Sequence, residues 1–207
     1  LKLFGAAREG GGKVGVILTS YFHPLRPEMA EHPYVASRMA SEKQLAELCG
    51  EELRLVILQP PYVFGAIPGR TALGDTLAKA VRVPLLVPRG GTNAMSVMAL
   101  AEAIRGALER DDVKGTYLVG DENLTWRALI KRFGGRSALL PTWLIRTVMW
   151  IGRVALSIVR RQSGLDPVLL TDVIASEMFF DPTPGQEALG YSGGDLDRAI
   201  SDIRGTA

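Results

Sequence analysis

The sequence predicts an α/β fold built on a parallel sheet, and three observations predict it. Two runs of aliphatic residues, Lys13-Val14-Gly15-Val16-Ile17-Leu18 and Arg54-Leu55-Val56-Ile57-Leu58, lack the polar alternation of half-exposed strands. Such runs read as strands buried on both faces. Between them lies a helix-length segment, Pro33 to Cys49, with proline at its first position and Gly50 placed to cap its end. Strand, helix and strand at this spacing form a βαβ unit, whose strands run parallel with a right-handed crossover.

The remaining elements follow in chain order. Leu1 to Arg8 reads as the second half of an amphipathic helix entered without a cap, which predicts a processed or truncated N-terminus. A Gly-rich turn, Gly10-Gly11-Gly12, leads into the first strand, and Thr19 and Ser20 sit at that strand's C-terminal end. Tyr21 to His32 is a proline-punctuated loop, and Gln59-Pro60-Pro61-Tyr62-Val63-Phe64-Gly65 reads as a rigid turn after the second strand. Thr76 to Val81 is a short helix, Leu85-Leu86-Val87 a strand, Arg89-Gly90-Gly91-Thr92 a turn and Met98 to Glu109 a helix. Gly115 to Gly120 is a third strand of the sheet. Asn123-Leu124-Thr125-Trp126 opens another helix with Thr125 as its N-cap. The rest reads as largely helical, closing with Ala188 to Tyr191 and Asp195 to Arg204. No internal repeat or low-complexity linker interrupts the chain.

Composition bounds the function. The 207 residues are 47% hydrophobic, enough for one globular domain with a small appendage. A net charge of +2, with acidic and basic residues interspersed, gives no strong field for nucleic acid or an acidic membrane. The lone cysteine, Cys49, excludes an internal disulfide framework and fits a reducing compartment, with a cytoplasmic location expected, or indifference to redox. With His23 and His32 the only histidines, a zinc-type metal site is not expected. The N-terminus lacks the apolar core of a signal peptide. The most apolar segment, Trp143 to Val159, is interrupted by Arg146 and Arg153, so neither uncharged run reaches spanning length. It reads as an amphipathic helix covering a core or pocket, without stable membrane insertion.

Parallel sheets bind ligands at the C-terminal ends of their strands. Thr19, Ser20 and the Pro60–Gly65 turn lie at that edge, and Tyr34, at the head of the following helix, reaches the same rim. Tyr34 and Arg38 are four residues apart and so share a helical face. A tyrosine beside a fixed cation is a candidate acid/base, because the cation stabilises phenolate. Each feature also has a structural reading. Tyr34 and Arg38 can be a surface pair, and Thr19 and Ser20 can satisfy backbone at a strand end. Pro60-Pro61 can be simply a stiff turn. His23 and His32 read as loop histidines without partners, Asp181 and Asp195 as caps, and Trp126, Trp143 and Trp150 as core or pocket wall. Cys49 reads as a buried helix-end thiol.

Four blocks in order give the chain a resemblance to the later part of extended short-chain dehydrogenases/reductases, the NAD(P)-dependent epimerase/dehydratase group. The strand ending in Thr19-Ser20 looks like the family's serine-ended strand. Tyr34-Val-Ala-Ser-Arg38 looks like its Tyr-x-x-Ser-Lys motif, with Glu42 at the place of a frequent glutamate. Leu58-Gln-Pro-Pro-Tyr-Val-Phe-Gly65 looks like its Arg-Pro-Gly-x-Val-Tyr-Gly turn, and Phe180-Asp181 through Tyr191 like its C-terminal signature. The resemblance implies a Rossmann-type sheet lacking its first strands (residues 1–120) and a small, mainly helical substrate-binding part (residues 121–207). It implies that Tyr34 exchanges the proton at the substrate oxygen. Ser20 or Thr19 would hydrogen-bond that oxygen, and Arg38 would take the place of the lysine that holds the nicotinamide ribose. Pro60, Pro61 and Val63 would lie against the nicotinamide of NAD or NADP. A small-molecule substrate and a homodimer formed through helices including Pro33–Cys49 are implied in the same way.

Three departures qualify the expectation. Arg38 stands where the family has lysine; it keeps the charge, but as a planar fork it relays a proton poorly. The loop from Ser20 to Tyr34 is shorter than usual. No Gly-x-x-Gly-x-x-Gly follows a first strand, and Gly10-Gly11-Gly12 precedes one, so it cannot place pyrophosphate at a helix N-terminus. The expectation is therefore part of a longer NAD(P)-dependent oxidoreductase or epimerase. Its alternative is a non-catalytic nucleotide-binding relative or an inactive fragment. The apolar segment Trp143–Val159 favours a hydrophobic or mixed substrate over a free charged sugar, and nothing in the sequence chooses NAD over NADP.

Overall fold

The computed structural model describes residues 2–50, 53–66, 73–141, 143–144, 147 and 175–206. The chain forms two compact units, each assembled from separate stretches. The first comprises Leu1–Val63, Met95–Asp121 and Asp181–Gly194; the second comprises Phe64–Ala94, Glu122–Phe180 and Asp195–Ala207.

The first unit opens with helix α1 (Lys2–Glu9) and strand β1 (Val14–Leu18). A short helix α2 (Phe22–Leu25) and a 3-10 turn (Pro27–Met29) occupy the segment expected as loop. Helix α3 (Pro33–Cys49) ends at Gly50, whose φ of 56° is one that other residues adopt only with strain. Strand β2 (Arg54–Gln59) follows, then β3 (Tyr62–Phe64), so the rigid turn expected over Gln59–Gly65 is confined to its prolines. Later in the chain come helix α5 (Val97–Glu109) and strand β6 (Gly115–Leu118), and helix α7 (Thr183–Leu189) completes the unit.

Its sheet is parallel, in the order β1-β2-β6. Val14 pairs with Arg54 and Leu18 with Leu58, while Val56 pairs with Gly115 and Gln59 with Leu118. The central strand β2 is buried from Val56 to Gln59. Strand β1 departs from the expectation of burial on both faces. Its residues are only partly buried and Leu18 is 45% exposed, because among the described residues β1 is an edge strand with β2 as its partner. The core gathers Val56, Leu58, Met95, Ala103, Val119 and Leu189. Ser96 caps α5 by accepting the Ala99 N–H at 2.9 Å, and Arg54 donates to the Ala107 and Val113 carbonyls at its far end. These contacts satisfy groups that every helix end leaves unpaired.

The described residues of the second unit form both helices and strands. It holds α4 (Leu73–Ala80), β4 (Leu85–Val87), β7 (Glu122–Thr125) and α6 (Trp126–Arg132). It also holds β8 (Ser137–Leu139), β9 (Glu177–Met178) and α8 (Leu196–Thr206). The turn expected over Arg89–Thr92 gives way at its second glycine to strand β5 (Gly91–Ser96), buried at every residue. Its first residues pair antiparallel with β7 and parallel with β9. The polar residues of β5 survive burial because Asn93 donates to Asn123 at 3.0 Å and Asn123 donates to the Phe180 carbonyl at 2.9 Å. A Cβ at Gly91 would stand 2.3 Å from the Leu124 carbonyl oxygen, so the strand pairing requires glycine there. Strands β4 and β8 form a separate parallel pair. Thr125 is the expected N-cap of α6. Trp143, expected in a core or pocket wall, is 68% exposed. Trp150 and nearly all of Trp143–Val159 lie outside the described residues. No helix among the described residues is long and apolar enough to cross a membrane.

Candidate active site

The head of α3 is built by three consecutive residues. His32 is extended (φ −65°, ψ 129°), and its Nδ1 accepts the Tyr34 N–H at 3.3 Å. Pro33, at the first helical position, has no N–H to satisfy. Tyr34 then starts the first turn and is 38% exposed. Inside the helix, Ser37 donates to the Tyr34 carbonyl and Ser41 to that of Ser37, both at 2.8 Å.

Arg38 comes one turn later and covers the Tyr34 ring, with its guanidinium carbon 5.2 Å from the ring centroid. At an exposed site such a cation–π contact contributes about 0.5–1 kcal/mol. Phe22 approaches the same ring edge-on, at 6.3 Å and 69°. Phe22 also donates its N–H to the Ser20 hydroxyl at 3.3 Å, so the loop carrying Ser20 is tied to the ring of Tyr34. Ser20 is buried, and so is Tyr21, whose ring lies 4.7 Å from that of Phe22.

The other expected site residues differ in what surrounds them. The Thr19 N–H extends the ladder by donating to the Leu58 carbonyl at 2.9 Å. Its Oγ1 is buried with no partner among the described residues. Pro60 and Pro61 are partly buried. Val63 packs against the core cluster of the first unit. Burial pushes the Tyr62 phenol above its ordinary value, so this neighbouring tyrosine stays protonated.

Sequence reasoning missed a polar cluster at the end of β2. Gln59 is 1% exposed and donates to Glu42 Oε1 at 3.4 Å. His23 Nε2 lies 3.3 Å from Gln59 Nε2 and 3.7 Å from Glu42 Oε2. His23 and His32, expected to be loop histidines without partners, are thus both engaged. Gln59 was the available signal, since a lone amide ending an apolar run must be satisfied once buried. His23 gave no signal, because α2 brings it to the strand end. Cys49 is buried at the end of α3, as expected. Asp181, just before α7, accepts the Thr183 N–H at 3.0 Å; hydrogen bonds from the Thr183 hydroxyl and then its N–H lower the carboxyl pKa. Among the described residues no group of three or more potential ligands could hold a metal ion.

No protein-family model and no curated protein matches the chain. Solved structures do. The crystal structure of gox2253 superposes with a TM-score of 0.77 at 19% identity, over 97% of this chain and 68% of that one. The UDP-N-acetylglucosamine 4-epimerase from Bacillus cereus gives 0.65 at 15% identity, over 99% of this chain and 68% of that one. The UDP-glucose 4-epimerase of Thermus thermophilus, solved in complex with NAD, gives 0.63 at 19% identity, over 99% and 68%. The chain therefore has an α/β fold with a parallel sheet of the kind found in these sugar epimerases.

Proposed function

We propose that the chain belongs to an NAD(P)-dependent oxidoreductase or epimerase of the extended short-chain dehydrogenase type. In this reading Tyr34 is the acid/base and Arg38 its supporting cation. The observation that carries the reading is the placement of Arg38 over an exposed Tyr34 at the head of α3. The epimerase-like fold supports it independently.

The residues present fit the nicotinamide end of such a cofactor. The buried Thr19 hydroxyl lacks a partner among the described residues. No described carboxylate pairs with Arg38, which leaves its guanidinium donors for ribose hydroxyls. When bound, the cofactor supplies or accepts the hydride. Tyr34 gives or takes the proton at the substrate oxygen, and Ser20 or Thr19 orients that oxygen by a hydrogen bond. Pro60 and Pro61 offer a stiff wall for the nicotinamide. Val63 spends its side chain on the core and contributes through its backbone.

A second reading, a nucleotide-binding relative without turnover, has one specific observation in its favour. Arg38 replaces the lysine of the resembled motif, and arginine does not relay protons readily. Titration with NADH and NADPH, read by nicotinamide fluorescence, followed by a panel of nucleotide sugars and apolar ketones, separates the readings. Binding with turnover supports the enzyme, and binding without turnover supports the relative. No binding of either nucleotide by the whole protein overturns both.

A further inference from the structure

The candidate acid/base stands where a helix is weakest. Backbone N–H groups in the first turn of an α-helix have no carbonyl partner within the helix, and the turn frays unless something outside accepts them. Tyr34 is the second residue of α3, so its N–H is one of these groups. Pro33 before it has none to give. His32 is the N-cap, and its Nδ1 accepts the Tyr34 N–H at 3.3 Å. Helix caps are ordinarily the side-chain oxygens of serine, threonine, aspartate or asparagine. Here the acceptor is a ring nitrogen, and that makes the cap conditional.

An imidazole nitrogen accepts a hydrogen bond only while it carries no proton. The bond to Tyr34 therefore requires a neutral ring with its proton on Nε2. A second proton, on Nδ1, turns the acceptor into a donor that faces another donor. It also places a cation at the positive end of the helix dipole. The backbone of His32 is held on both sides. Its N–H donates to the Met29 carbonyl at 2.9 Å, and its carbonyl accepts the Ala36 N–H at 2.8 Å. The residue is buried. The charged groups of this segment face elsewhere: Glu28 pairs with Arg26, Arg38 lies over the Tyr34 ring, and Glu42 faces His23. Glu31, beside His32 in the chain, is exposed. Among the described residues no carboxylate pairs with the His32 ring to favour its charged form.

We propose that His32 is a positioning residue for Tyr34: its neutral imidazole fixes the backbone that carries the phenol, and protonation of the ring releases it. The inference rests on the reading of Tyr34 as the acid/base. Activity then declines on the acid side through a group that touches neither substrate nor cofactor.

The chain has only two histidines, which makes the test direct. Imidazole nitrogen NMR of the full chain, labelled with ¹⁵N, is assigned from the signals lost in His32→Asn. At about pH 8 the expected result is a His32 ring with Nδ1 unprotonated. As the pH falls through the range where imidazoles take up protons, the Tyr34 amide signal should move in the wild type. It should stay in place in His32→Asn, which caps without titrating. A proton on Nδ1 at about pH 8, or a Tyr34 amide that titrates equally in His32→Asn, overturns the proposal. The second outcome assigns the titration to His23 beside Glu42. These readings need no substrate, so they stand or fall apart from the acid/base reading, which turnover of Tyr34→Phe tests. In turnover, His32→Ala should lower kcat by about tenfold or more, through misplacement of Tyr34. His32→Asn should restore kcat and keep it at acid pH, where the wild type declines. Both variants lose the same ring, so an asparagine variant no better than alanine overturns the positioning role.

Discussion

Arg38 covers the face of Tyr34, its guanidinium carbon 5.2 Å from the ring centroid, one helical turn further along α3. The contact uses the ring face. If the pair acts as proposed, Arg38→Ala should lower kcat/KM by about a hundredfold, the loss typical of one electrostatic group at a reacting centre. Arg38→Lys should recover most of it, because the charge returns. Both side chains are exposed, so thermal unfolding should move by less than about 0.5 kcal/mol. Equal activity in the alanine and lysine variants would remove Arg38 from the chemistry.

Tyr191 belongs to the scaffold. Its buried hydroxyl donates to the Gly120 carbonyl at 2.9 Å and accepts the Gly120 N–H at 2.8 Å. The Tyr191→Phe change leaves both backbone groups of Gly120 without that partner. The expected cost is about 1–3 kcal/mol, read as a lower urea midpoint at unchanged slope.

The same phenol makes stability depend on pH in the alkaline range. Burial pushes its pKa up to about 12, against an ordinary value of 10.0. The folded state therefore holds this proton more tightly than the unfolded state. Its contribution is complete below pH 10 and is lost as pH rises toward 12. The loss should be on the order of 2 kcal/mol, and Tyr191→Phe should flatten the curve in that window. A wild-type stability profile level from pH 9 to pH 12 would contradict the assignment.

Helix α5 meets the end of α7 at Gly106. A Cβ added there would stand 1.7 Å from the Leu189 carbonyl oxygen, a backbone atom that cannot move aside independently. Gly106→Ala should therefore destabilise the protein by about 1–3 kcal/mol or more, despite alanine's better helix propensity. Differential scanning calorimetry checks this. A raised melting temperature would mean that helix propensity outweighs the close approach.

Helix α3 was fully legible in the sequence, because Pro33 and Gly50 mark its ends by chemistry that needs no tertiary context. Strand β2 was legible for the same reason, through a run of apolar residues. Strand β5 was not. Gly91-Thr92-Asn93 carries turn residues, and it becomes a strand through its pairing with neighbouring strands, β7 and β9 among them, and through Asn123, which satisfies Asn93. The double burial expected of β1 came from its apolar composition, which does not reveal whether a strand lies at an edge. At the candidate site, the Tyr34–Arg38 adjacency followed from helical spacing. The His23–Gln59–Glu42 cluster joins three separate elements, and no local pattern announces it.

In the proposed function, Tyr34 exchanges a proton with a substrate in an NAD(P)-dependent reaction. The most direct measurement is the turnover of Tyr34→Phe beside wild type, on the best substrate found, with nucleotide affinity measured on the same samples. The expected result is a loss of about 10²–10⁴ in kcat with nucleotide affinity retained. Turnover undiminished in Tyr34→Phe would contradict it.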